Sequence, residues 1–132
     1  VLILAGSPRM LGAGCLSSLA AMRAGAGLVT LGVPKSLNLI AQKKVSNIVM
    51  TLPLGETPQK TLSLGALKTI KQFSAQCQAV AMGPGMTTHP STRKLIGKIV
   101  QTFSRPLVID ADALNSLVGN LDFLKKTKTP KI

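Results

Sequence analysis

The sequence predicts an α/β domain built on a mainly parallel sheet flanked by helices. Two observations carry that class: apolar runs of strand length alternate with segments of helical period, and glycine or proline stands at nearly every junction. A third is that short motifs rich in glycine or aspartate follow directly on three predicted strands, where the loops of a parallel sheet gather along one edge.

The elements follow in order. Residues 1–4 (Val-Leu-Ile-Leu) read as a buried strand. Residues 12–24 form a helix, rich in Ala, Leu and Met, with Leu16, Leu19, Ala20 and Arg23 at helical spacing; Gly25, Ala26 and Gly27 stop it. Residues 28–33 are the second strand, ended by Pro34, and residues 36–44 a short helix with Leu37, Ile40 and Ala41 on one face. Residues 47–52 are a third strand and residues 53–60 a turn. Residues 62–73 are helical, with Leu64, Leu67, Ile70 and Phe73 spaced by three. Residues 79–82 form a short buried strand. Residues 91–103 return to helical period through Leu95, Ile96, Ile99 and Val100, Pro106 opens a strand at 107–109, and residues 113–118 are a last short helix.

Composition narrows the function. The 132 residues are 45% hydrophobic and 2% aromatic, a single globular unit with no internal repeat. No apolar run approaches the roughly 18 to 20 residues of a membrane helix. Cys15 and Cys77 stand far apart, without CxxC spacing and away from the one histidine, His89, so neither a disulfide framework nor a zinc site is readable and reduced thiols of a cytoplasmic protein are expected. Lys and Arg number 16 against 4 Asp and Glu, a net charge of +12. Such charge permits a basic module that binds nucleic acid, yet Phe73, Phe103 and Phe123 are the only aromatic residues and read as core, which leaves no stacking platform. The strand at the very start, with no leader before it, and the lysine-rich end at 125–131, where a new strand is about to begin, predict a portion of a longer domain.

Three loops carry the candidate chemistry: Ala5-Gly6-Ser7 running to Gly12-Ala13-Gly14, then Gly83-Pro84-Gly85, then Asp110-Ala111-Asp112. Glycine lets a backbone approach a ligand closely, and a following helix N-terminus favours phosphate. That makes Gly6, Ser7 and Gly83 candidate phosphate contacts, with tight turns as the plainer alternative. Two nucleotide fingerprints fail. Ser17 stands where GxGxxG needs its third glycine, no acid follows about 20 residues on, and no loop has P-loop spacing. Asp112 is either the N-cap of the last helix or a carboxylate facing the crevice, and Asn115, one turn on, faces the same way. Ser7 has no base to activate it, Cys15 reads as packing, and His89 precedes a helix without a catalytic partner.

Together the loops resemble a family. Ala5-Gly6-Ser7 through Gly12-Ala13, with Leu19-Ala20-Ala21-Met22-Arg23-Ala24-Gly25-Ala26-Gly27-Leu28-Val29-Thr30, is similar to the opening of the NAD(P)H-hydrate dehydratases. Ala81-Met82-Gly83-Pro84-Gly85-Met86 resembles that family's GPGLG loop, and Pro106-Leu107-Val108-Ile109-Asp110-Ala111-Asp112-Ala113-Leu114-Asn115 its PLVLDADALN segment. The resemblance implies a Rossmann-like, ribokinase-type three-layer domain, incomplete at its C-terminus, of which residues 1–132 are the N-terminal portion. It implies a lyase that dehydrates NADHX or NADPHX using ADP or ATP, with Mg2+ as a further cofactor. Ala13 and Gly85 would touch substrate, and Asp110, Asp112 and Asn115 would shape its pocket. A homo-oligomer and fusion to, or cooperation with, an epimerase of the same hydrates are also implied. Two positions depart from the pattern: Met10 stands where an aromatic residue is common, and Thr87 replaces the last glycine of GPGLG. The family's TPHPGE segment, its lysine-glycine nucleotide segment and its GxGD aspartate do not occur in residues 1–132, so this portion is expected to be inactive alone.

Overall fold

A computed structural model describes residues 1–45, 47–120, 122–125 and 130–132. Five strands, β1 (Leu2–Leu4), β2 (Val29–Pro34), β3 (Val49–Leu54), β4 (Val80–Met82) and β5 (Leu107–Ile109), pair all in parallel in the order β3-β2-β1-β4-β5. Six helices connect or follow them: α1 (Leu11–Arg23), α2 (Asn38–Lys44), α3 (Leu67–Ser74), α4 (Pro90–Thr102), α5 (Asp112–Leu117) and α6 (Asp122–Lys125). Short 3-10 turns at Lys35–Leu37 and Leu64–Ala66 lead into α2 and α3.

Alternation along β1 divides the core in two. Leu2 and Leu4 join Leu54, Val80, Met82, Leu107 and Ile109 under α3, α4 and α5, whereas Ile3 and Ala5 join Val29, Leu31, Val33 and Val49 under α1 and α2. The result is three layers with the sheet in the middle. All of β1 and β2 is buried, as expected of parallel strands covered on both faces. Past β5, the carbonyls of Pro130 and Ile132 accept from the Leu107 and Ile109 amides at 3.0 and 2.8 Å, so the expected next strand begins beside β5. Within the lysine-rich end, residues 126–129 lie outside the described residues.

The differences from the predicted elements have local causes. β3 extends through Pro53 to Leu54, taking in part of the predicted turn. It is an edge strand, where a missing donor costs least. The helix expected from residue 62 begins later because Leu62 is held elsewhere: it forms an antiparallel bridge with Glu56, and its carbonyl accepts from Thr92 Oγ1 at 2.6 Å. In α1 only Leu19 of the predicted stripe packs, half-buried, against the core, while Leu16 is 72% exposed and Ala20 also faces outward; the buried side is Leu11, Gly14, Cys15 and Ser18. Gly14 decides this, because a Cβ there would lie 3.1 Å from Leu31 and 3.3 Å from Ala5, so the helix approaches the sheet through its smallest residue. The helix ends as predicted at Gly25, φ +98°, in a Schellman arrangement in which the Ala26 amide donates to Ala21 O and that of Gly25 to Met22 O.

Candidate functional site

In the order β3-β2-β1-β4-β5 the chain runs outward to one side after β1 and to the other after β4. The loops leaving those two neighbours therefore diverge and open a crevice at the carboxyl edge of the sheet, the place where open α/β sheets bind ligands. A crevice of about 620 Å³ lies there, lined by Ser7 to Met10, Gln59, Thr61 and Thr87.

Hydrogen bonds join the three predicted loops beside it. The Gly6 amide donates to Pro84 O at 2.9 Å, the Gly83 amide to Leu4 O at 3.1 Å and the Asp110 amide to Met82 O at 3.1 Å. Gly83 has φ +131°, and a Cβ on it would fall 1.8 Å from Asp110 O; Gly85 has φ +68°, and a Cβ would fall 2.8 Å from Met10 O and 3.4 Å from Ala13. These glycines answer to the approach of one loop to the next. The amides of Gly6 and Gly83, expected to be open to phosphate, are engaged within the chain.

Ser7 differs. It is 1% exposed, lines the crevice, and its hydroxyl has no hydrogen-bond partner among the described residues. A buried hydroxyl left unpaired costs about 1–3 kcal/mol, which a ligand oxygen at this spot would recover. Ser7, Pro8, Arg9 and Met10 lead into α1, whose N-cap is Met10, without a side-chain cap and without acid in its first turn. The positive end of that helix and Arg9 give the wall an affinity for anions.

The acidic loop acts from behind. Ala111, not Asp112, occupies the N-cap of α5, so the capping alternative for Asp112 does not hold. Asp112 Oδ2 accepts from the Thr87 amide at 2.9 Å and Oδ1 from Asn115 Nδ2 at 3.3 Å, so Asn115 does share its side. Asp110 is exposed and its Oδ1 accepts from the Ala111 amide at 2.7 Å. His89 caps α4, its Nδ1 accepting from the Ser91 amide at 3.2 Å. No group of three or more His, Cys, Asp or Glu side chains comes together among the described residues. Phe103 is buried in the core cluster, and Phe73 and Phe123 pack, partly buried, against that cluster.

The sequence reading missed Gln59 and Thr61. They sit on a hairpin after β3, where Thr57 and Thr61 pair their hydroxyls at 2.9 Å and Thr92 Oγ1 meets Thr61 Oγ1 at 3.2 Å. The legible signal was a polar run, Thr57-Pro58-Gln59-Lys60-Thr61, following a strand and so fated to the same sheet edge.

A family model described as NAD(P)H-hydrate dehydratase, of the carbohydrate-kinase type, matches residues 1–132. The chain is 42% identical over 132 residues to the bifunctional NAD(P)H-hydrate repair enzyme Nnr of Moorella thermoacetica, spanning 25% of that protein. It is 35% identical over 115 residues to the ADP-dependent (S)-NAD(P)H-hydrate dehydratase of Xanthomonas campestris, covering 87% of this chain and 39% of the relative. Among solved structures, the ADP/ATP-dependent NAD(P)H-hydrate dehydratase of Bacillus subtilis, co-crystallized with ATP/Mg2+ and soaked with CoA, superposes with a TM-score of 0.61 at 27% identity, over 86% of this chain and 38% of that one. A Streptococcus mutans protein, SMU.573, shares the fold with a TM-score of 0.73 at 21% identity, over 98% of this chain and 42% of that one.

Proposed function

The chain belongs to the NAD(P)H-hydrate dehydratase family, and from that membership we propose that residues 1–132 are the N-terminal portion of one dehydratase domain and supply the substrate side of its site. The whole protein would be a lyase that removes water from NADHX or NADPHX. ADP or ATP, with Mg2+ carried on its phosphates, would supply the drive for losing the hydroxyl. The observation that carries this reading is the crevice at the point where the strand order reverses, walled by a helix N-terminus and holding a buried serine hydroxyl that has no partner among the described residues.

In this reading the residues bind and orient. The Ser7 hydroxyl donates to a phosphate oxygen of the hydrated dinucleotide, and Arg9 and the start of α1 offset its charge. Gly6, Gly83 and Gly85 bring the loops close together, beside Ala13. Asp110, Asp112 and Asn115 support that wall from β5 and α5. The relatives named bifunctional favour a second, epimerase activity in the same protein, and a homo-oligomer in the cytoplasm completes the proposal; among the described residues no helix is long and apolar enough to cross a membrane.

The test is to incubate the full-length protein with hydrated NADH or NADPH and either ADP or ATP, and to follow recovery of the reduced-nicotinamide absorbance. Nucleotide-dependent recovery is expected; no recovery with either nucleotide would reject the assignment.

A further inference from the structure

Thr87 is a β-branched residue at φ +67°, in the left-handed region that glycine enters freely and such side chains occupy only at a cost. It also lines the crevice. Two hydrogen bonds hold it there: its amide donates to Asp112 Oδ2 at 2.9 Å, and its Oγ1 accepts from the His89 amide at 3.3 Å. The first bond is the shorter and is made to a carboxylate, the stronger kind. Asn115 Nδ2, donating to the other oxygen at 3.3 Å, fixes the carboxylate's rotation.

Resting on the dehydratase reading, we propose that Asp112 is a positioning residue. Its carboxylate, carried by the loop after β5, grips the backbone of the loop after β4 and keeps Thr87 in the conformation that shapes the crevice wall. Both carboxylate oxygens are turned to partners within the chain, so Asp112 acts on the substrate through Thr87. The loop carries threonine where a glycine would need no such grip, which makes the two positions interdependent.

The experiment uses the full-length protein with four variants: Asp112→Ala, Asp112→Asn, Thr87→Gly, and Asp112→Ala combined with Thr87→Gly. Two readouts are taken: KM and kcat for hydrated NADPH, and hydrogen exchange at the amide of residue 87. Asp112→Ala should raise KM about tenfold, the scale of one charge-assisted hydrogen bond, leave kcat within about twofold, and speed exchange at the Thr87 amide by a similar factor. Asp112→Asn keeps an oxygen for that amide and should stay within about threefold of wild type on both counts. Adding Thr87→Gly to Asp112→Ala should recover most of the KM, because glycine holds the left-handed conformation unaided. An Asn variant as impaired as the Ala variant, without rescue by glycine, would mean that Asp112 meets the ligand itself and would overturn the proposal, as would wild-type kinetics and exchange in Asp112→Ala. Should the wild-type protein show no turnover, the dehydratase reading is what fails, and the exchange readout alone still decides whether Asp112 holds Thr87.

Discussion

Ser7 combines two opposed effects in one hydroxyl. Its Oγ is buried with no hydrogen-bond partner among the described residues, so Ser7→Ala should raise stability by about 1 kcal/mol while weakening substrate binding about three- to tenfold; thermal unfolding and KM in the full-length protein read the two separately. A loss of stability, or an unchanged KM, would remove Ser7 from the site. The glycines separate in a similar way. A Cβ at Gly83 would strike the Asp110 carbonyl at 1.8 Å, between two backbones, whereas Gly12 in α1 has nothing within 4 Å. Gly83→Ala should therefore cost about 3 kcal/mol or more, and Gly12→Ala should gain about 0.5 kcal/mol of helix stability. Denaturant midpoints for the two variants provide the check.

Elements decide how the crevice is walled. Thr92, on α4, donates to Leu62 O and reaches Thr61, tying the hairpin after β3 to the helix. Thr92→Val keeps the shape and removes the donor, leaving the buried Leu62 carbonyl unpaired; about 1–3 kcal/mol of stability should go, and the Gln59 and Thr61 amides should exchange faster. The same hairpin marks the limit of what could be read from sequence. Strands such as Leu107–Ile109 and β4 were legible because short apolar runs bounded by glycine and proline leave little else for the chain to do. The existence of α1 to α5 was legible too, whereas the short α6 was not foreseen. The buried side of α1 was not, since it depends on Gly14 meeting Ala5 and Leu31 across the layer, a contact that helical spacing does not encode. The site loops were found by their glycines and aspartates, whereas Asp112's true partner, an amide 25 positions away, carries no side-chain signature.

At the scale of the molecule, strand order places the crevice and charge sets its surroundings. Arg9 and the start of α1 should draw an anionic dinucleotide toward the crevice, an advantage that salt weakens. The family segments for nucleotide binding and for the catalytic aspartate do not occur in residues 1–132. These residues expressed alone should therefore give no ADP- or ATP-dependent recovery of NADH, whereas turnover by them would place the catalytic groups within this portion. The division of the core by the sheet has a different consequence. Cys15, on the buried side of α1, faces the cluster on one side of the sheet, and Cys77 joins the cluster on the other, so the two buried thiols belong to separate layers. Burial also pushes the Cys15 thiol above its ordinary value, only partly offset by Lys44, which keeps it protonated and slow to react at neutral pH. Alkylation of each buried cysteine is then governed by the loosening of its own layer, and the two labelling rates become independent clocks for the two halves of the sandwich. Equal rates that both follow global unfolding would show the layers opening as one; unequal rates would identify which side of the sheet breathes first.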